Sequence, residues 1–325
     1  MRKIKTRIAI GLAAMAFATA PALAQDKPAD FPRRPIELVV VYPAGGGMDV
    51  TARILAKNAE RVLGHQFRVV NKTGGGGRVG HMFIGKQAKP DGYTLGVLSM
   101  GAQFTHILED SSQFATTDFD PLVHIAYEPY IYMTRGESLE ELLERAKAEP
   151  GKVRIGVVSG STSDLIMGVV QEEAGVEFAQ VPFQGGAPRL LGLVNGTIDV
   201  APMFFTEGEQ YDETGEAKFV AVADTARHQS LPDVPTMPEL GIDMPGGVFG
   251  AVRYVALPAG VPEDRRAYLA AAFKQVLEDP TTQAEFKEVG VTVSYMGPDD
   301  TKAMYDEAFS TIEKLTSDSA STVNN

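Results

Sequence analysis

Apolar residues along this chain cluster in short runs that alternate with amphipathic segments. The run at residues 36–42 is rich in β-branched side chains, which predicts a buried strand. After a glycine-rich turn, apolar positions recur at helical spacing from Asp49 to Gly64, a residue suited to end a helix. Further strands are predicted at 67–70 and 93–98, with a helix at 79–88 between them. Strands separated by helices predict a parallel sheet.

The same alternation begins again in the second half of the chain. Strands are predicted at 153–158, 178–183, 198–203 and 219–223, and helices at 164–173, 188–195, 262–278, 281–289 and 299–314. Two extended apolar stretches, 125–133 and 248–257, predict two crossings of the chain between the units. We therefore expect an α/β fold of two domains. The predicted limits are residues 30–126 plus 250–325 for a discontinuous domain 1, and residues 127–249 for domain 2.

The N-terminus has the pattern of an export signal. Four basic residues precede the apolar run at 8–20, and the small-residue pattern Ala22-Leu23-Ala24 follows it. The run is shorter than the ~20 residues of a membrane-spanning helix. We expect residues 1–24 to be a cleaved signal peptide and the mature protein to be exported. The alternative is an uncleaved N-terminal anchor.

Composition narrows the classes of function. The chain has 30 Lys and Arg against 42 Asp and Glu, and removal of the four basic residues of the signal takes the formal net charge from −12 to −16. Such a charge disfavours nucleic acid as a partner. The absence of cysteine excludes disulfides, thiolate catalysis and cysteine metal sites. The five histidines show no metal-ligand spacing, and no G-x-S-x-G motif occurs. We predict no catalytic residue, no metal site and no cofactor.

The first candidate binding loop follows the first predicted strand. Its residues are Tyr42, Pro43, Ala44, Gly45, Gly46, Met48 and Asp49. Glycines let a ligand approach the backbone, and the start of a helix presents unpaired N–H groups that attract anions. The alternative is that the glycines only form a tight turn. A phosphate-binding P-loop is disfavoured because no Gly-Lys-Ser/Thr follows.

A second glycine loop, residues 75–80, formally matches the dinucleotide motif G-x-G-x-x-G. An acidic partner for a ribose is expected about 20 residues later, but Ser99 and Met100 are found there, so this interpretation is disfavoured. Arg78 in this loop has a guanidinium that can pair with a carboxylate through two N–H groups. The alternative for Arg78 is a solvated surface side chain.

Two more candidate loops lie in the second unit. Each falls between a predicted strand and a predicted helix, where open α/β sheets bind their ligands. Their candidate residues are Ser159, Ser161, Thr162 and Ser163 in one loop, and Phe183, Gln184, Gly185, Gly186 and Ala187 in the other. The hydroxyl groups either bind a ligand or only cap the helix that follows.

Six segments form the most specific pattern in the chain. They are Y-P-A-G-G-G-M-D-V-T-A-R-I-L-A from Tyr42, V-V-N-K-T-G-G-G-G-R-V-G from Val69, P-D-G-Y-T-L from Pro90, V-P-F-Q-G-G-A-P from Val181, N-G-T-I-D-V from Asn195 and L-P-D-V-P-T-M-P-E-L-G from Leu231. Together they resemble the Bug-type, or TctC-type, substrate-binding proteins of tripartite tricarboxylate transporters, over nearly all of the mature chain. The resemblance implies a two-domain periplasmic-binding-protein fold of type II, with two hinge crossings. It also implies that the first glycine loop and the F-Q-G-G-A-P loop hold one carboxylate.

The resemblance further implies a transport role without chemistry. The receptor is expected in the periplasm as a monomer that passes its solute to the subunits of a membrane permease. Ser99, Met100, Met203 and Phe204 join the expected ligand-binding residues. One alternative is a periplasmic sensor that presents the bound solute to a receptor kinase. Another is an exported α/β hydrolase or isomerase, for which the sequence shows no pair of nucleophile and base.

Three positions depart from the pattern of the family. Arg78 stands where asparagine is usual, Met203 where aspartate is common, and Phe249 where tryptophan is common. The loss of an acid and the gain of a base favour a second negative charge on the ligand. We therefore expect a dicarboxylate or an aromatic carboxylate as the ligand, with Arg78 near its distal end.

Overall fold

The computed structural model describes residues 27–110, 113–159 and 161–323, and the predicted signal peptide at 1–24 lies outside these residues. The strands are β1 Ile36–Val40, β2 Phe67–Asn71, β3 Thr94–Ser99, β4 Phe119–Pro129, β5 Ile131–Thr134, β6 Arg154–Val157, β7 Ala179–Pro182, β8 Val200–Met203, β9 Lys218–Val222 and β10 Gly250–Pro258. The helices are α1 Gly47–Leu63, α2 Arg78–Met82, α3 Met100–Glu109, α4 Leu139–Ala148, α5 Thr162–Ala174, α6 Gly186–Val194, α7 Phe205–Thr214, α8 Glu263–Glu278, α9 Pro280–Glu288 and α10 Pro298–Val323. A π-helical turn at Phe83–Gln87 continues α2.

The strands form two five-stranded sheets. The first sheet has the order β2-β1-β3-β10-β4, and the second has the order β7-β6-β8-β5-β9. β1 pairs in parallel with β2 and β3, and β6 pairs in parallel with β7 and β8. By contrast, β10 is antiparallel to β3 and β4, and β5 is antiparallel to β8 and β9. Both sheets are therefore mixed, and the prediction of a parallel sheet is wrong for β5 and β10.

Both antiparallel strands directly follow a crossing between the sheets. Only Tyr130 separates β4 from β5, so the chain leaves the first sheet in an extended conformation. It returns between Val222 and Gly250, and β10 then runs back beside β4 with Gly250 opposite Pro129. An outgoing strand and the returning strand beside it run in opposite directions. A rule based on helices between successive strands does not anticipate this pairing.

The strands divide between the sheets in the way that the two predicted crossings require. Strands of the first sheet lie within residues 36–129 and 250–258, and strands of the second sheet lie within residues 131–222. The exact limits proposed for domains 1 and 2 stay a prediction. Among the residues that the structure describes, no helix combines the length and the apolar character needed to cross a bilayer.

Helix α1 illustrates how the sequence positions the candidate site. Ala52, Leu55 and Ala59 follow the three-and-four spacing of a helix face and are fully buried in the core of the first sheet. Gly64 ends the helix in the left-handed conformation at φ 64°, as predicted. β1 is almost entirely buried because it lies between two neighbouring strands. The N-terminus of α1 is consequently held at the carboxyl ends of β1 and β3.

Candidate ligand-binding site

The first glycine loop connects β1 to α1 and is open to solvent. Pro43, Ala44, Gly45 and Gly46 are all exposed. Gly45 has φ 84°, a left-handed conformation that strains any residue with a side chain. A Cβ atom at Gly46 would meet only the carbonyl oxygen of Pro43, at 3.5 Å. The loop therefore presents accessible backbone at the start of a helix, where an anion is stabilised.

Asp49, a predicted ligand contact, is buried beneath this loop. Its Oδ2 accepts hydrogen bonds from the Gly45 N–H at 2.8 Å and from Arg53 Nε at 2.7 Å. Its Oδ1 accepts from Arg53 Nη2 at 3.0 Å and from Asn71 Nδ2 at 2.9 Å. Burial raises the pKa of the Asp49 carboxyl, but the hydrogen bonds outweigh this effect and hold the pKa below its ordinary value. The Asp49 side chain thus fixes the loop, and the neighbouring Met48 is buried as well.

A buried ion pair lies behind the first glycine loop. Arg253 of β10 is 3% exposed, and its Nη2 donates to Glu128 Oε2 at 2.5 Å. The other oxygen of Glu128 accepts a hydrogen bond from the hydroxyl of Thr206 in α7, at 3.2 Å. A Cβ atom at Gly47 would lie 3.6 Å from Arg253 Nη2. The Arg253 guanidinium therefore lies beside the start of α1 and is linked through Glu128 to a helix of the second unit.

Ser99 and Met100, which join β3 to α3, are both buried. Ser99 lies opposite Arg253 in the antiparallel pair of β3 and β10. The next residue, Gly101, contacts the second unit so closely that a Cβ atom would overlap the hydroxyl of Thr162 in α5. The glycine thus allows α3 and α5 to meet, which brings loops of the two sheets together.

The serine-rich loop of the second unit caps α5. The Ser161 hydroxyl accepts a hydrogen bond from the Ser163 N–H at 3.2 Å, and the Ser163 hydroxyl accepts one from the Val158 N–H at 3.0 Å. Ser163 is fully buried, whereas Ser159 is exposed. Helix capping by Ser161 is therefore confirmed, and ligand contact by these residues stays a prediction.

The F-Q-G-G-A-P loop leads into α6, and the carboxylate of Glu207 from α7 lies against the start of that helix. A Cβ atom at Gly186 would overlap the carboxylate of Glu207, which accepts a hydrogen bond from the Phe204 N–H at 3.3 Å. Burial raises the pKa of the Glu207 carboxyl, and the positive charge of Arg189 opposes that rise. The other predicted residues of the loop differ in exposure: Phe183 packs toward Gly156 and Gly192, Gly185 is half-buried, and Gln184 and Ala187 are exposed.

An aromatic cluster joins the ends of β1 and β8. Tyr130, at the first crossing, stacks on Phe204 with ring centroids 4.2 Å apart. Burial raises the pKa of the half-buried Tyr42, and its interaction with nearby Tyr130 raises that pKa further. The Arg189 guanidinium lies 5.5 Å from the centroid of the Tyr130 ring, and its Nε donates to the sulfur of Met203 at 3.4 Å. Met203 is fully buried, and the contact of its sulfur with Arg189 places its side chain beside this cluster.

Arg78 is directed elsewhere in the structure. Its Nη2 donates to Glu109 Oε2 at 2.5 Å, and its Nη1 donates to the carbonyl oxygen of His106 at 3.4 Å. Both partners lie in the last turn of α3, and Glu109 is about 13 Å along the helix axis from Met100. The structure thus brings the first glycine loop, the start of α3 and the loops of the second unit together, and it pairs Arg78 with the opposite end of α3.

Sequence reasoning missed five residues that lie among the predicted ones. They are Glu128, Tyr130, Arg189, Glu207 and Arg253. Glu128 and Arg253 carry a signal that was available, because each interrupts an apolar strand segment, I-A-Y-E-P-Y-I and A-V-R-Y-V-A-L. A charge in a buried strand needs a partner. Arg189 and Glu207 lie in helical segments, where charged residues are common and carry no such signal.

Comparison with known proteins bears on this arrangement. The sequence profile of the tripartite tricarboxylate transporter family receptor, TctC, matches residues 51–318. A UPF0065 protein of Cupriavidus necator is 30% identical over 296 residues, which make up 89% of this chain and 88% of that protein. The periplasmic binding protein BugD is 27% identical with a TM-score of 0.78, over 89% of this chain and 99% of BugD. An R. palustris protein solved with adipate is 26% identical with a TM-score of 0.80, over 90% and 99% of the two chains.

These similarities extend over almost the whole described chain. The similarity to BugD assigns the two mixed sheets to the type II periplasmic-binding-protein fold, which confirms the predicted fold class. The family profile covers well over half of the sequence, from within α1 onward, and includes the loops of the second unit. The chain therefore belongs to the TctC family of tripartite tricarboxylate transporter receptors, which are solute-binding proteins and not enzymes.

Proposed function

We propose that this protein is a periplasmic receptor that binds a small dicarboxylate or aromatic carboxylate between the loops of its two sheets and delivers it to a membrane permease. The observation that carries this proposal is the convergence of loops from both sheets. Arg253 beside the first glycine loop reaches the second unit through Glu128, and Tyr130 at the crossing stacks on Phe204. Open α/β sheets bind ligands at this edge, outside the carboxyl ends of their strands.

The first glycine loop has the chemistry that a carboxylate requires. Its backbone is exposed from Pro43 to Gly47, and the N-terminus of α1 favours negative charge. The exposed side chains of Ser159 and Gln184 lie in the opposing loops and offer further polar partners. The R. palustris relative was solved with adipate, a dicarboxylate, which supports this ligand class. The description of BugD as a periplasmic binding protein and the predicted signal peptide support a periplasmic location.

Domain closure would couple binding to delivery. With domain 1 at residues 30–126 plus 250–325 and domain 2 at residues 127–249, a solute that contacts both domains binds the closed form more tightly than the open form. The hinge would use the two crossings, at Tyr130 and between Val222 and Gly250. The closed monomer is then the species that the permease subunits recognise.

A thermal-shift screen tests the ligand class. The purified mature protein, freed of any co-purified solute, is screened against mono-, di- and tricarboxylates and aromatic acids. A ligand that binds only the native state stabilises it by about 2.7 kcal/mol at a concentration 100 times its Kd. We expect the largest rise in melting temperature with a dicarboxylate or an aromatic carboxylate. If no carboxylate changes the melting temperature, the proposal is wrong.

Substitution of Arg78 tests its predicted position near the distal end of the ligand. This role requires the guanidinium to exchange Glu109 for a ligand carboxylate on binding. Arg78→Ala is then expected to weaken dicarboxylate binding about tenfold and to leave monocarboxylate binding unchanged, as measured by titration calorimetry. Because the Arg78–Glu109 pair is partly exposed, the free energy of unfolding changes by less than about 1 kcal/mol. If Arg78→Ala leaves the affinity for every bound dicarboxylate unchanged, Arg78 does not contact the ligand.

A further inference from the structure

Arg189 is a buried cation without a counter-ion in direct contact. It is 1% exposed, and no carboxylate of the described residues lies within ion-pair distance of its guanidinium. Its Nε donates to the sulfur of Met203, a weak acceptor, at 3.4 Å, and Arg189 also forms a hydrogen bond with the side chain of Tyr130. Its Nη1 has no acceptor among the described residues. Burial of a guanidinium with an unpaired N–H group costs free energy, and an acceptor supplied by a bound solute would offset that cost.

Arg253 shows the same feature in the first sheet. Its Nη2 is paired with Glu128, but Nε and Nη1 have no acceptor among the described residues. Nη2 lies near the position that a Cβ atom of Gly47 would occupy, at the start of α1. Two nitrogens of this guanidinium therefore have unpaired N–H groups, and a carboxylate bound at the first glycine loop can accept hydrogen bonds from them.

The two arginines belong to one electrostatic cluster. The carboxyl of Glu207 interacts with Arg189, with Arg253 and with Glu128, so all four charged groups lie within a short distance of one another. The two guanidinium groups and the two carboxylates balance in formal charge, so it is the unpaired N–H groups of the two arginines that offer binding positions to the carboxylates of a solute.

We propose that Arg189 and Arg253 are the residues that determine ligand specificity, and that each binds one carboxylate of the same dicarboxylate from its own side of the site. This inference rests on the proposed function, narrows its ligand class from dicarboxylates and aromatic carboxylates to dicarboxylates, and assigns the distal carboxylate to Arg189 in place of Arg78. One arginine comes from α6 of the second unit and the other from β10 of the first sheet. A dicarboxylate that bridges them links the two units, which is the differential contact that closure requires. A monocarboxylate satisfies only one of them.

The test uses Arg189→Met, which removes the guanidinium charge and keeps an unbranched side chain that can fill the space of the arginine's hydrocarbon stem. Arg227→Met serves as the matched control, because Arg227 is an exposed arginine paired with Glu239 on the surface. Titration calorimetry measures the affinity of the stripped mature protein for adipate, for shorter and longer straight-chain dicarboxylates, and for the matching monocarboxylates. Thermal unfolding of the unliganded proteins is measured in parallel.

Arg189→Met is expected to lower the affinity for the best dicarboxylate at least about thirtyfold and to change monocarboxylate affinity less than about threefold. It is also expected to raise the melting temperature without ligand, because a buried charge without a counter-ion is removed. A purely structural role predicts the opposite shift in melting temperature and no loss of dicarboxylate preference. If Arg189→Met does not fold, Arg189→Lys, which keeps the charge and loses the planar guanidinium, is expected to lose the same preference.

The outcomes separate this inference from the proposed function. If the wild-type protein binds no carboxylate at all, the proposed function is wrong and the inference falls with it. If the wild type binds a dicarboxylate and Arg189→Met binds it within twofold of the wild type, the inference alone is wrong. An equal loss of mono- and dicarboxylate affinity also overturns the assignment of one carboxylate to each arginine.

Discussion

The starts of α1 and α6 have similar sequences and different surroundings. Each follows a strand with a parallel neighbour, and each begins at consecutive glycines. At α1 the loop is exposed, and the charged atom near Gly47 is the cationic Nη2 of Arg253. At α6 the carboxylate of Glu207 lies directly against Gly186. One helix start therefore has a cation beside it, and the other already has an anion.

This difference separates two uses of glycine. At Gly186 the missing side chain makes room for Glu207, which belongs to the next helix. At Gly45 and Gly46 it leaves the backbone accessible from outside. Helix N-termini attract anions in both cases, but the one at α6 is served by the protein's own carboxylate. The start of α1 is consequently the stronger candidate for a carboxylate of the ligand.

The largest effect on stability is expected from Gly186→Ala, compared with Gly46→Ala. The new Cβ atom at Gly186 overlaps the Glu207 carboxylate and forces it away from the Phe204 N–H. The carboxylate ends a flexible side chain and can move, so the cost is its displacement from a partly buried position near Arg189, and we expect a loss of about 2 kcal/mol in the free energy of unfolding, measured with urea. Gly46→Ala meets only the Pro43 carbonyl oxygen at ordinary contact distance and is expected to change stability by less than about 0.5 kcal/mol.

A second substitution isolates the cause of that effect. Glu207→Ala removes the carboxylate that the new Cβ atom meets, so Gly186→Ala introduced into a Glu207→Ala protein is expected to cost less than about 1 kcal/mol. If Gly186→Ala costs as much with Ala at position 207 as with Glu, the contact between these two residues is not what distinguishes the two helix starts.

Acid is expected to weaken the packing beneath the second glycine loop through a buried histidine pair. His81 and His106 lie under the second glycine loop, with their Nδ1 atoms 3.3 Å apart. Burial, aided by His106 and Arg78, lowers the pKa of His81 from 6.5 to about 3. The folded state thus disfavours the protonated form, so the stabilisation is complete above pH 6.5 and is lost as the pH falls toward 3. At pH 5 the loss attributable to His81 is about 2 kcal/mol.

Urea unfolding at pH 7 and pH 5 measures this loss. His81→Asn removes the titrating group and keeps a polar atom facing His106. The variant is expected to show a decrease in stability between the two pH values that is smaller than that of the wild type by about 2 kcal/mol. Equal decreases in the two proteins would show that His81 is not responsible for the pH dependence.

The smallest effect is expected from Asp49→Asn in the first loop. The substitution removes the negative charge of the carboxylate that accepts hydrogen bonds from Arg53 and from the Gly45 N–H. We expect the free energy of unfolding to fall by about 1.5 kcal/mol at pH 7. Because the folded-state pKa of Asp49 is lowered, its contribution is present above the ordinary value of 3.8 and is lost as the pH falls below it. The difference between variant and wild type is therefore expected to shrink in strong acid. The exposed Glu213→Gln is the control and is expected to be near neutral at all pH values.

Much of the local structure was predictable because local patterns determine it. The spacing of Ala52, Leu55 and Ala59 defines the buried face of α1, and Gly64 ends that helix. The β-branched run at Ile36–Val40 forms a central strand. Other elements escaped prediction for the converse reason. In helix α7 the buried residue is Gly208, which has no side chain. The helix therefore lacks the repeated buried apolar positions from which a helix is predicted.

The sequence by itself determined the family, the alternation of strands and helices, the two crossings and the position of the glycine loop at Tyr42–Asp49. These features depend on residues that are neighbours in the chain. Only the tertiary structure decided which strands run antiparallel, that Glu207 meets Gly186, and that Arg253 pairs with Glu128 while Arg189 has no carboxylate of the described residues in direct contact. Such contacts join residues distant in sequence, and the free energy of a buried charge depends on what the fold places around it.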